Sequence, residues 1–258
     1  MDEPWIDYPA MIATIDRVER APRRVRGIAG GRTVLDSVQA VYLWEWAGYP
    51  QYYVPLDDVD RSLLEDEHVA HAQPRGTAAE HALVLDGVRR AHAARVYGDD
   101  AIEGIRRTAR FRWNAIDAWF EEDEEVFVHP RNPYTRVDAL RSTRHVRVTR
   151  DGVVLADSAA AVLVFETGLP TRYYLPRLDV RFDALRPSAT RTECPYKGRT
   201  TGYWDAVTPD GVVEDVAWSY DFPTRQVLPI AGMVAFLNER VDLEVEGEPL
   251  VRPVTRFS

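Results

Sequence analysis

Apolar and polar residues alternate in short runs along most of this chain, and the runs end at turn-forming residues. The clearest case is Val146-Arg147-Val148-Thr149-Arg150-Asp151-Gly152-Val153-Val154-Leu155-Ala156. β-Branched runs on both sides of an Asp-Gly pair predict a tight hairpin, because Asp and Gly accept the left-handed backbone such a turn needs. Ala160–Glu166 predicts an apolar strand ending on an acid, and Arg172–Leu175 a strand stopped by Pro176. Further strands are expected at Arg199–Ala206, at Val213–Tyr220 beyond a Thr208–Gly211 turn, and at Arg240–Glu246. Helical periodicity is scarcer. Asp179–Leu185 predicts one turn. Asp60–Ala72 and Asp100–Ala115 predict longer helices, the second with Ile102, Ile105, Ala109 and Trp113 near one face. The expected class is mainly β with a few short helices.

The pattern repeats. Shifted by 121 positions, Arg23–Val59 lies on Arg144–Val180 without a gap, and 14 of the 37 pairs are identical. The shared residues include Gly31/Gly152, Asp36-Ser37/Asp157-Ser158, Glu45/Glu166, Tyr52-Tyr53-x-Pro55/Tyr173-Tyr174-x-Pro176 and Asp58-Val59/Asp179-Val180. Chance pairing gives far fewer, so the chain is a duplication. The match continues with small slips, placing Pro74-Arg75-Gly76 on Pro195-Tyr196-Lys197-Gly198. The expected organisation is an arm over 1–16, a first repeat over 17–124, a proline-containing connector over 125–135, a second repeat over 136–249 and a tail over 250–258. The first repeat is expected to be the more helical, because Pro229 and Gly232 break the second repeat's counterpart, Val227–Phe236, of the Asp100–Ala115 segment.

Composition narrows the function classes. A net charge of −9 argues against a nucleic-acid partner. No apolar run is long enough to cross a bilayer, and the acidic opening Met1-Asp2-Glu3 is unlike a secretory signal. The single cysteine, Cys194, excludes an intrachain disulfide, so a cytoplasmic location is expected. Of 32 basic residues only Lys197 is lysine, and it lies three positions from that cysteine.

Cys194-Pro195-Tyr196-Lys197-Gly198 therefore reads in two ways: as a pocket where Lys197 meets an anion or forms an imine, or as a solvated turn. Glu45 and Glu166 close apolar strands, as proton acceptors or as partners of nearby arginines. Tyr173, Tyr174, Tyr203, Trp204, Trp218 and Tyr220 crowd the second repeat, as core or as a ligand wall. His68 and His71 beside Glu65 and Glu67 have ligand spacing on an expected helix, but the second repeat has no histidine there and no cysteine pair exists; no metal and no cofactor are expected. Glu121–Glu125 reads as a solvated acidic run, and phosphate-loop, dinucleotide and Gly-x-Ser-x-Gly signatures are missing. The leading expectation is a small, anionic molecule bound in the second repeat by Glu166, Tyr174, Lys197, Tyr203, Trp218 and Tyr220. The alternatives are a transferase or hydrolase using Lys197 or Glu166, and an interaction module built on the first repeat.

The Asp-Ser pair, the strand ending on Glu166, Tyr173-Tyr174-Leu175-Pro176, Asp179-Val180, Cys194–Gly198, Ala217-Trp218-Ser219-Tyr220 and Ile230–Phe236 together resemble family 427 of the domains of unknown function. That family is sometimes labelled nucleotidyltransferase-like. Trp119–Asp123 through His129-Pro130-Arg131 resembles its tandem, actinobacterial-type members, which implies a bacterial source. The resemblance implies two β-tent-like domains in tandem, a shape related to domains that hold small ligands between two sheets. Many β-tent proteins bind zinc through paired cysteines, which this chain lacks, and the nucleotidyltransferase label finds no Gly-Ser plus paired-Asp motif here.

Overall fold

The computed structural model describes residues 13–255 and 258; most of the expected N-terminal arm lies outside them. The described residues fall into two compact units that divide between Pro133 and Tyr134. Each is built from one seven-stranded and one four-stranded antiparallel sheet. In the first unit the large sheet runs Val18–Arg20, Val41–Leu43, Gln51–Pro55, Thr108–Phe111, Val88–Tyr97, Gly76–Leu85, Leu64–Gln73. In the second it runs Val137–Ser142, Ala161–Glu166, Arg172–Leu175, Val234–Phe236, Gly211–Ser219, Gly202–Thr208, Leu185–Pro187. The order is the same, so the duplication in sequence is a duplication of fold.

Strand alternation gives each large sheet two buried faces. Along Ala161–Glu166, Ala161 and Leu163 join the core beneath the small sheet, while Val162 and Val164 pack on the opposite face. Tyr-Tyr splits likewise: Tyr173 faces the first core and Tyr174 the second. By the same alternation Glu166 shares the outer face with Tyr174, Trp218 and Tyr220. Irregular segments cover that face, including the 3₁₀ turns Arg225–Ile230, which contribute Val227 and Ile230. The first unit is covered by the segment bearing Ala101 and Ile105.

The Asp151-Gly152 hairpin forms as expected, with both residues at positive φ (49° and 77°) joining Val146–Arg150 to Val153–Ser158. The two longer expected helices do not form, whereas the single turn expected over Asp179–Leu185 is the 3₁₀ turn Phe182–Ala184. Among the described residues every helical segment is a 3₁₀ turn, so the first repeat is not an α-helical variant of the second. Asp60–Ala72 holds one 3₁₀ turn, Arg61–Leu63, and then the strand Leu64–Gln73. Its Leu, Glu and Ala favour a helix only weakly, and pairing with Gly76–Leu85 outweighs that preference. Asp100–Ala115 is interrupted by positive φ at Gly104 (91°) and Arg107 (56°), and Thr108–Phe111 then pairs between Gln51–Pro55 and Val88–Tyr97.

The expected connector is also shorter. Glu125 and Val126 extend the strand Glu124–Val126 on Ala118–Glu121, and the Asn132 side-chain amide donates to the Gly48 carbonyl at 2.9 Å. These residues pack on the first unit because strand pairing and a buried amide both hold them there.

Candidate functional site

The second unit gathers the six expected site residues on one face of its large sheet. Gly198 adopts φ 95°, and the small hairpin Glu193–Cys194/Gly198–Arg199 carries Lys197 over the outer face. The Lys197 ammonium donates to Glu166, and both side chains are about nine-tenths buried. Burial works against the ammonium's charge, but Cys194, Glu166 and Tyr174 around it raise its pKa. A lysine held protonated is a poor nucleophile, so the geometry disfavours imine formation. The Trp218 indole donates to the Tyr174 hydroxyl at 3.1 Å, and burial pushes the Tyr174 pKa up to about 12, with Lys197 opposing the shift. Tyr220, also raised by burial, completes the apolar surround.

Tyr203 and Trp218 lie at the edge of this cluster, stacked with ring centroids 6.3 Å apart. Their other side opens on a pocket of about 340 Å³. Thr190, Thr192, Asp215, Arg240 and Ser258 supply its polar rim. The Asp215 carboxylate holds the preceding loop by accepting from Ser188 (2.7 Å) and Thr190 (2.8 Å). Thr192 and the Tyr203 hydroxyl are 3.0 Å apart. Arg240 donates to the Glu214 carbonyl at 3.0 Å and has no carboxylate partner among the described residues. Beside the pocket a bidentate, buried Arg172–Glu239 pair (2.6 and 2.7 Å) sets its guanidinium 5.9 Å from the Trp218 ring.

Two of the six expected residues, Tyr203 and Trp218, thus line the cavity. The other four close on one another. Tyr173 and Trp204 belong to the core between the sheets instead. Sequence reasoning missed Thr190, Thr192, Asp215 and Arg240, because no motif marks them and only the strand register brings them together.

The first unit fills the equivalent face differently. Glu45 accepts from Tyr53 at 3.0 Å and from Arg110 at 3.0 and 3.2 Å. Val54 pairs with Ala109 as Leu175 pairs with Val234, so Arg110 stands where the second unit has Ala235. Arg75, the counterpart of Lys197, turns to Asp16 and to the Glu45 carbonyl. The repeated acid is kept and its cation comes from another element.

Residues 17–122 and 138–247 each match the family described as Domain of unknown function (DUF427). The chain belongs to that family, in two copies. No curated protein matches it. Among the described residues of this tandem DUF427 chain, no helix is long and apolar enough to cross a membrane. His68 and His71 sit on a strand of its first repeat and not on a helix: His68 lies 3.6 Å from Asp66, and His71 3.6 Å from Glu80.

Proposed function

We propose that this DUF427 protein binds a small molecule in the pocket of its second repeat, with a flat apolar part against Tyr203 and Trp218 and an anionic group on Arg240. One observation carries the reading: a guanidinium without a carboxylate partner borders a cavity of about 340 Å³ walled by two stacked aromatic rings. That volume is in the range of small-ligand sites. Lys197, the cation expected from the sequence, is neutralised by Glu166, so Arg240 takes its place as the anion contact. Lys197, Glu166, Tyr174 and Tyr220 then hold Trp218 in position. The net charge of −9 supports a small molecule over nucleic acid, and the lone cysteine supports a cytoplasmic setting.

The test is calorimetric titration with a panel of phenyl-, indole- and nucleobase-bearing carboxylates and phosphates. At least one is expected to bind saturably to the wild type and about tenfold or more weaker to Arg240→Ala and to Tyr203→Ala. Affinity unchanged by both substitutions, or no binding at millimolar concentration, would end this reading.

A further inference from the structure

We propose that the first repeat holds a divalent transition-metal ion of the Zn²⁺ class, bound by Glu67, Glu80 and His92. The three residues lie on adjacent strands, Leu64–Gln73, Gly76–Leu85 and Val88–Tyr97. One ligand atom from each falls within 4.8 Å of the other two. The pairing of both neighbours with the central strand slips, between Asp66 and Ala70 and between His81 and Leu83, and His92 adopts φ 52°. Such bulges re-aim side chains, and here they turn one imidazole toward two carboxylates that regular alternation would keep apart.

Each carboxylate has one oxygen held by an arginine; of the other two oxygens, Glu67 Oε2 accepts from the His92 backbone amide at 3.0 Å and Glu80 Oε2 is left over. Arg89 donates to Glu67 Oε1 at 2.7 Å, and Arg95 to Glu80 Oε1 at 2.9 Å. The remaining oxygens face His92: Glu67 Oε2 lies 2.9 Å and Glu80 Oε2 4.0 Å from Nδ1. Glu80 is 2% exposed, and its Oε2 has no hydrogen-bond partner. A buried carboxylate oxygen without a partner is costly, and a cation between it and His92 would satisfy it. Arginines that orient carboxylates from behind do what supporting hydrogen bonds do in metal sites.

The donor set fits the ion. One imidazole nitrogen and two carboxylate oxygens suit Zn²⁺ and its first-row neighbours better than Ca²⁺ or Mg²⁺, which take oxygen ligands. His71 Nε2, 3.6 Å from Glu80 Oε1, brings a second imidazole to the margin. Both His71 and His92 are about half exposed, which leaves solvent a route to an open coordination position. Arg89 also pairs with Glu65, so three carboxylates face two guanidiniums and the Glu and Arg side chains of the cluster carry a net negative charge.

The second repeat lacks this cluster. Glu80 pairs with Arg95 as Tyr203 pairs with Trp218, and Asp215, at φ 50°, stands where His92 does. The same corner of the fold is therefore an aromatic pocket in one copy and a His/Glu cluster in the other. The metal site stands independently of ligand binding in the second repeat.

The full chain, stripped with chelator, is titrated with Zn²⁺ by calorimetry. One saturable site per chain is expected, at least about tenfold weaker in Glu80→Gln and in His92→Asn. Asparagine tolerates the left-handed backbone at position 92 and lacks the imidazole. His68→Asn, at a neighbouring exposed histidine, is expected to bind as the wild type does. Circular dichroism identifies a variant that fails to fold, and if Glu80→Gln does, His92→Asn decides. No saturable site, or equal affinity in His92→Asn and the wild type, overturns the proposal.

Discussion

Two residues duplicated with the fold have kept their place and changed their company. Glu45 and Glu166 occupy one position on the outer sheet face, the first paired with Arg110 and the second with Lys197. Arginine reaches Glu45 from a neighbouring strand with a forked, bidentate contact; lysine reaches Glu166 from a hairpin as a point charge. The Lys197–Glu166 pair is buried, so its attraction is offset by lost hydration, and its cost appears mainly when one partner is removed. Glu166→Ala is expected to destabilise the protein by about 3–5 kcal/mol, because it strands a buried ammonium. The double variant Glu166→Leu/Lys197→Met is expected to be clearly less destabilised than that single variant, as read by urea unfolding followed by circular dichroism. Equal loss in both would mean that the pair itself contributes the stability.

At the scale of elements, the repeated dipeptides act as fasteners. The Ser37 hydroxyl donates to Asp58 at 2.6 Å and accepts from the Gln39 amide; Ser158 does the same with Asp179, at 2.6 Å, and with the Ala160 amide. Isolated bridges, Leu35 to Val59 and Ala156 to Val180, complete each contact. The hairpin end is thereby pinned to the 3₁₀ turn that follows the Tyr-Tyr-x-Pro strand, which explains why Asp-Ser and Asp-Val recur together with the bonded Ser and Asp 21 residues apart. Ser37→Ala and Ser158→Ala should each cost about 1.5–3 kcal/mol, since each leaves a carboxylate short of a donor. Thermal unfolding of the two variants tests this, and a negligible effect at both would remove the fastening role.

At the scale of the whole molecule, each unit encloses its own apolar clusters, on both faces of its large sheet. A unit of this size with a complete core meets the requirement for independent folding. Residues 134–258 expressed alone are expected to show a β-type far-ultraviolet spectrum, a near-ultraviolet tryptophan signal and a cooperative thermal transition. A fragment that binds hydrophobic dye and melts without a transition would show that its core is incomplete. The two units share a strand order yet differ at the same corner, Tyr203, Trp218 and Asp215 in one and Glu80, Arg95 and His92 in the other. Duplication kept the scaffold and let the corners diverge.

The sequence by itself determined the duplication, the β class and the Asp-Gly hairpin, and it grouped Glu166, Tyr174 and Trp218 as candidates without assigning their face. All of these follow from local pattern, since turn chemistry and a two-residue period act over a few positions. It also put Lys197 near those residues, through an unusual composition and not through geometry. Tertiary structure decided the rest. Leu64–Gln73 carries helix-forming residues and is a strand because a neighbouring strand pairs with it. Arg240 and Asp215 meet Tyr203 across the sheet, and Glu67, Glu80 and His92 meet across three strands at two register slips. Register and bulges are set by pairing between distant segments, and no local pattern in one strand encodes which residue its neighbour will present.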